Sequence, residues 1–192
     1  MGEPALKLPS NLDEFLVWEE RQPLRYEFVG GVVTAMAGGT ADHNTVALSI
    51  WAALRARLGR RNCRAFVGDF KVVAPTGASM YPDVALVCPP PPGKATSTKT
   101  PTLVVEVLSK STAGRDDGVK REDYYAIPSL EHYLLVSQDS PSVGLATREA
   151  DGTWHSRTIE GLERSVDLPH LGLSLPMAEI FADVEFGPTR AA

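Results

Sequence analysis

Glu106 interrupts a run of apolar residues, Thr102 to Leu108, that otherwise has the pattern of a central strand covered on both faces. A carboxylate in such a strand costs several kcal/mol if nothing compensates it, so it needs a cationic partner or a metal. Asp83 raises the same question in a second predicted strand, Tyr81 to Val87, directly after Pro82. If the two strands are neighbours, both carboxylates can share a hard divalent cation such as Mg²⁺, which favours oxygen ligands and keeps several waters. The other reading is an Asp that caps a turn and a Glu paired with an arginine, and residue chemistry alone does not separate the two. Lys120 lies on a helix predicted from about Gly114 or Arg115 to Ala126, directly after the Glu106 strand. That helix packs back over the sheet, so its inward face can bring an ammonium to the carboxylates, where it could hold a hydroxide or a phosphate. A surface pair with Asp116, one turn earlier, is the alternative. Glu27, mid-strand in Arg25–Val29, could add a third carboxylate, although alone it reads as the polar position of a half-exposed strand.

The elements that position these residues are legible from period and punctuation. Ser10 or Asn11 can cap a short helix through Phe15 and Trp18 that Pro23 ends. Arg25–Val29 and Val32–Met36 flank Gly30-Gly31 as a hairpin. Val46, Ile50, Ala53, Leu54 and Leu58 recur at helical spacing over Asp42–Leu58, and Gly59 stops that helix. Cys63–Ala74 and Tyr81–Val87 read as strands about the turn Pro75-Thr76-Gly77, and the Pro-rich stretch Cys88 to Lys99 as a loop, either flap or passive connection. Glu131–Ser137 reads as a strand, Ser142–Thr147 and Trp154–Ile159 as an antiparallel hairpin, Met177–Ala182 as a closing helix and Gly187–Ala192 as a frayed tail. Together they predict one α/β domain over residues 1–192, with its core at about 11–182 and a mixed sheet.

Bulk properties narrow the function classes. A chain of 192 residues can bury a full core without staples. Cys63 and Cys88, the two cysteines, form no framework pattern and are expected reduced, in a cytoplasmic protein. No run is long enough to span a membrane. A net charge of −5 argues against coating nucleic acid through charge alone. Arg55, Arg57, Arg60, Arg61 and Arg64 are a local exception, either a solvated helix face or a phosphate-binding patch. No Gly-x-Ser-x-Gly elbow supports a serine hydrolase, and neither cysteine sits in a protease motif. His43 reads as a first-turn residue of its helix or as a residue lining the cleft. Tyr124 and Tyr125 read as core packing rather than base-stacking platforms.

Taken together, Arg25-Tyr26-Glu27, His43, Pro82-Asp83, Val105 to Ser109 with Ser111-Thr112, Asp116, Lys120, Tyr125 and Glu131-His132-Tyr133 resemble the Uma family of putative restriction endonucleases, within the PD-(D/E)XK nuclease superfamily. The resemblance runs from about Asn11 to Phe181. It implies a restriction-endonuclease-like fold, a mixed β-sheet flanked by α-helices, with the antiparallel hairpin near the C-terminus as an addition. It also implies an endonuclease that hydrolyses phosphodiester bonds in nucleic acid, in the first place DNA, with Mg²⁺ or in its stead Mn²⁺. On that resemblance Asp83 and Glu106 are metal-binding acids, joined by the carbonyl of Val107, while Glu27 and Lys120 complete the catalytic set. His43, Asp116 and Tyr125 are cleft candidates. The superfamily's usual Glu-x-Lys is here Glu106-Val107-Leu108, so Lys120 would serve from the helix, with Lys71 and Lys110 in reserve. A homodimer through the Ser142–Ile159 hairpin is expected. A non-catalytic nucleic-acid- or protein-binding module on the same fold is the rival reading, and hydrolysis of a small phosphoester a third.

Overall fold

The computed structural model describes residues 8–108, 118 and 120–186. The chain runs α1 (Leu12–Glu19), β1 (Tyr26–Val29), β2 (Val32–Ala35), α2 (Ala41–Leu58), β3 (Arg64–Val67), β4 (Lys71–Val73), β5 (Ser79–Met80), β6 (Val84–Val87), β7 (Ser97–Thr98) and β8 (Pro101–Leu108). It continues through α3 (Arg121–Tyr125), β9 (His132–Ser137), β10 (Ser142–Arg148), β11 (Trp154–Glu160), β12 (Ser165–Leu168), a 3-10 turn at Pro169–Leu171, β13 (Leu173–Pro176) and α4 (Met177–Ile180). A six-stranded sheet of order β11-β10-β9-β8-β6-β3 forms the centre, mixed because β8 and β9 run parallel while its other pairs are antiparallel. A five-stranded sheet of order β2-β1-β5-β4-β7 lies beside it, and β12 and β13 form a third, two-stranded sheet.

Alternation along the central strands feeds two cores. Leu103, Val105, Val107, Leu134 and Val136 face one way and pack with α2, β12, β13 and α4. Val104 and Tyr133 face the other way and pack with Val72 and Met80 of the five-stranded sheet and with Tyr124 of α3. Local chemistry sets the ends of the elements. The Asn11 side chain caps α1 by accepting from the Glu14 amide, and Thr40 caps α2 by accepting from the His43 amide. Gly30 and Gly31, at φ of 58° and 78°, make the tight turn between β1 and β2 that the sequence predicts.

Several expectations change. Cys63–Ala74 is not one strand: the chain turns at Gly68 (φ 68°), leaving β3 in the central sheet and β4 in the five-stranded one. It returns between Met80 and Val84, so β5 and β6 also belong to different sheets. The antiparallel hairpin of β10 and β11 forms as expected and is added to the central sheet through the pairing of β10 with β9. The Pro-rich connection is tied down at its far end, where β7 pairs in parallel with β4. Strands β12 and β13 have no counterpart among the elements the sequence predicts. The cysteines are not reduced: Cys63 and Cys88 form a disulfide with a Cα–Cα distance of 4.3 Å. The reason is register, since Arg64 lies opposite Val87 and the next pair outward is Cys63 with Cys88. The start of the helix carrying Lys120, Lys110, Asp116 and the tail lie outside the described residues. Among those described, no helix is long and apolar enough to cross a membrane.

Candidate active site

β8 is buried along nearly its whole length, and Glu106, 4% exposed, shares that burial. Two groups from the chain that follows reach it. The Tyr124 hydroxyl donates to Glu106 Oε1 at 2.8 Å, and Lys120 Nζ lies 3.6 Å from the same oxygen. Burial, and then the negative charges of Glu106 and Glu27, hold the Tyr124 hydroxyl well above the ordinary tyrosine range, so it stays a donor. Lys120, at the N-cap of α3, also lies 3.0 Å from Glu27 Oε2. The other oxygen of Glu27 accepts the Tyr81 amide at 3.0 Å. Glu27 belongs to the five-stranded sheet and Glu106 to the central one, so the ammonium joins the two sheets.

Asp83 stands where the chain re-enters the central sheet. β6 begins at Val84, paired with Val105, so the Val107 amide lies beyond the end of that ladder. Asp83 Oδ2 accepts a hydrogen bond from that amide at 2.7 Å, which fastens Asp83 to the residue directly after Glu106. His43 Nε2 lies 3.2 Å from the same oxygen. A Cβ on Gly39 would sit 2.7 Å from His43 Nδ1, so only glycine there leaves the ring its place in the first turn of α2.

Glu27, Glu106 and Lys120 therefore come together, and Asp83 is tied beside Glu106 through the Val107 amide and His43. Tyr125 does not join them. It stacks on Trp154 at 4.1 Å and meets Tyr133 edge-on, beside a recess of about 360 Å³. Lys71 is held by Glu19 at 2.5 Å rather than by Glu106, so it does not stand in for Lys120. Four of the five arginines make contacts within the fold: Arg57 pairs with Glu179, Arg61 donates to the Leu171 carbonyl, and Arg55 and Arg64 lie over Trp51 and Phe66, while Arg55, Arg60, Arg61 and Arg64 stay exposed. Tyr124, which the sequence presents as core packing, belongs to the site. Its signal was its spacing, four positions after Lys120, which puts both side chains on one helix face.

The donor set suits a hard cation in kind, being carboxylate oxygens, and Mg²⁺ commonly takes only one or two protein carboxylates. Among the described residues no group of three His, Cys, Asp or Glu side chains could hold an ion. Water and substrate oxygens would therefore make up most of the shell of a cation at Asp83 and Glu106.

Residues 12–178 match the sequence profile of a family described as "Uma2: Putative restriction endonuclease". The chain belongs to the Uma2 family. Two relatives from Synechocystis sp. are similar over most of their length. "Uncharacterized protein slr1290" is 34% identical over 176 residues, covering 91% of this chain and 92% of the relative. "Uncharacterized protein sll1609" is 32% identical over 158 residues, covering 80% and 89%. A crystal structure of "a putative nuclease belonging to DUF820 from Anabaena variabilis" superposes with a TM-score of 0.72 at 16% identity, over 91% of this chain and 98% of that one. That likeness shows the fold, a restriction-endonuclease-like mixed α/β arrangement. In this Uma2 chain the four residues gathered at the seam between the sheets come from β1, the β5–β6 junction, β8 and the start of α3.

Proposed function

We propose that this Uma2 chain is a divalent-metal-dependent endonuclease that hydrolyses phosphodiester bonds in nucleic acid, DNA before RNA. The observation that carries the reading is Lys120, set between Glu27 and Glu106 while Asp83 is fastened to the residue after Glu106. Asp83, Glu106 and the Val107 carbonyl would hold Mg²⁺, with Mn²⁺ able to replace it. A cation bound there supplies Lewis-acid contact to the phosphate and lowers the pKa of an attacking water. Lys120 orients that water or faces the charge developing on the phosphate. Glu27 keeps the ammonium in place, Tyr124 fixes the rotamer of Glu106, and His43 steadies Asp83. The water oxygen forms the new P–O bond, the P–O bond to the departing sugar breaks, and the leaving oxygen takes a proton.

The test is cleavage of single-stranded DNA, duplex DNA and RNA by the purified chain with Mg²⁺ and with Mn²⁺. Cutting that disappears in Asp83→Ala and in Glu106→Ala is expected. Inertness on every substrate would sink the enzymatic reading, and cutting that survives both substitutions would sink the site. A non-catalytic module on the same fold is favoured by one observation, that Lys120 already neutralises charge on both glutamates. Calorimetric titration with Mn²⁺ separates the two, since the module would bind none. A homodimer through the β10–β11 hairpin is part of the proposal, and sedimentation decides it.

A further inference from the structure

A second charged cluster adjoins the candidate site through Tyr26 and Tyr81. Glu19, at the end of α1, is 3% exposed, and Lys71, in β4, is 8% exposed. Their side chains meet at 2.5 Å. The same Glu19 carboxylate accepts the Tyr81 hydroxyl at 2.7 Å and the Tyr26 amide at 3.4 Å. Lys71 Nζ also lies 5.7 Å from the centre of the Tyr81 ring. Burial and then the bond to Glu19 push the Tyr81 hydroxyl up from its ordinary range, so it stays a donor.

An ion pair this dry contributes little net stability, since the loss of hydration roughly offsets the attraction, and an apolar replacement of equal volume is often as stable. What a fully satisfied buried network does supply is fixed geometry. Here that geometry converges on one residue. Tyr26 is the chain neighbour of Glu27, and Tyr81 donates its amide to Glu27 Oε1 at 3.0 Å. Glu19 thus holds the backbone on one side of Glu27 and, through the Tyr81 ring, the amide that binds its carboxylate.

We propose that Glu19 and Lys71 are positioning residues for the candidate site: through Tyr26 and Tyr81 they set the orientation of Glu27, and through Glu27 that of Lys120. The catalytic consequence rests on the phosphodiesterase reading; the positioning itself does not. The decisive variant replaces the whole network with apolar groups, Glu19→Leu with Lys71→Met and Tyr81→Phe. Amide hydrogen exchange by NMR is read at Tyr81, with Val105 in the central strand as reference, and cleavage is read as kcat and KM separately. The expected result is at least tenfold faster exchange at Tyr81 with Val105 unchanged, and a kcat at least tenfold lower at unchanged KM. Should the triple variant not fold, Tyr81→Phe alone is expected to move both readouts about threefold in the same directions. Exchange at Tyr81 that stays at the wild-type rate in a folded variant overturns the positioning role. Faster exchange with an unaltered kcat overturns the catalytic consequence. If the wild-type chain cuts no nucleic acid, the phosphodiesterase reading falls and the exchange result alone decides the positioning role.

Discussion

Lys120 answers two carboxylates from two sheets with one ammonium, and both glutamates are largely shielded from water. Removing it leaves buried charge uncompensated, which costs far more than the pair contributes. Lys120→Met is therefore expected to lower unfolding free energy by about 3 kcal/mol, read by chemical denaturation, and to abolish cleavage. Tyr124→Phe is milder. It removes one donor to Glu106 and should cost about 1–3 kcal/mol. Because the folded chain holds the Tyr124 hydroxyl well above its unfolded pKa, the stability it contributes is complete below about pH 10 and is lost as the pH rises further. Thermal melts on the alkaline side should fall more steeply for wild type than for Tyr124→Phe. At this scale the sequence showed Glu106 and Asp83 because a charge in an apolar strand is conspicuous. It hid Tyr124 because an aromatic on an inward helix face looks the same whether it fills space or donates a proton. His43 was ambiguous for a related reason, as only the packing of α2 against the site brings it to Asp83.

The elements were easier to find than to assign to sheets. Period and turn residues marked the β1–β2 hairpin, α2, β8 and the β10–β11 hairpin close to their observed bounds. They did not show that the chain changes sheet at Gly68 and again before Val84, because a strand that ends in one sheet and resumes in another keeps the same apolar pattern. The disulfide was hidden for the same reason, since it depends on β3 lying antiparallel to β6 in one particular register. Cys63 and Cys88 close a loop with a sequence separation of 25. Chain-entropy reasoning gives such a crosslink about 3 kcal/mol. Replacing both with serine, or assaying under strong reductant, should lower the melting temperature by roughly 10 °C. Asp83 lies at the other end of β6 from Cys88, so residual cleavage at low temperature should be little affected.

The whole molecule carries a pH dependence of its own. His132 is fully buried in β9, its Nδ1 meets Thr147, and its Nε2 has no hydrogen-bond partner among the described residues. Burial first, and then the neighbouring His170, lower its pKa to about 4. The unfolded chain takes up that proton near pH 6.5, the folded chain only near pH 4, so stability is complete above that window and is lost on acidification through it. Melting temperature followed from pH 7 to pH 4 should fall for wild type and flatten in His132→Asn, which keeps a polar side chain but does not titrate. The orphaned nitrogen was invisible in sequence, where His132 sits in an ordinary β-strand run.

The seam between the two sheets has a bearing on when the chain could first do chemistry. A partly unfolded molecule that keeps only the central sheet retains Glu106 but loses Glu27, the anchor that sets the ammonium between the two glutamates. Competence arrives only when both sheets have docked. On the proposed nuclease reading, partial unfolding that parts the two sheets silences the chain.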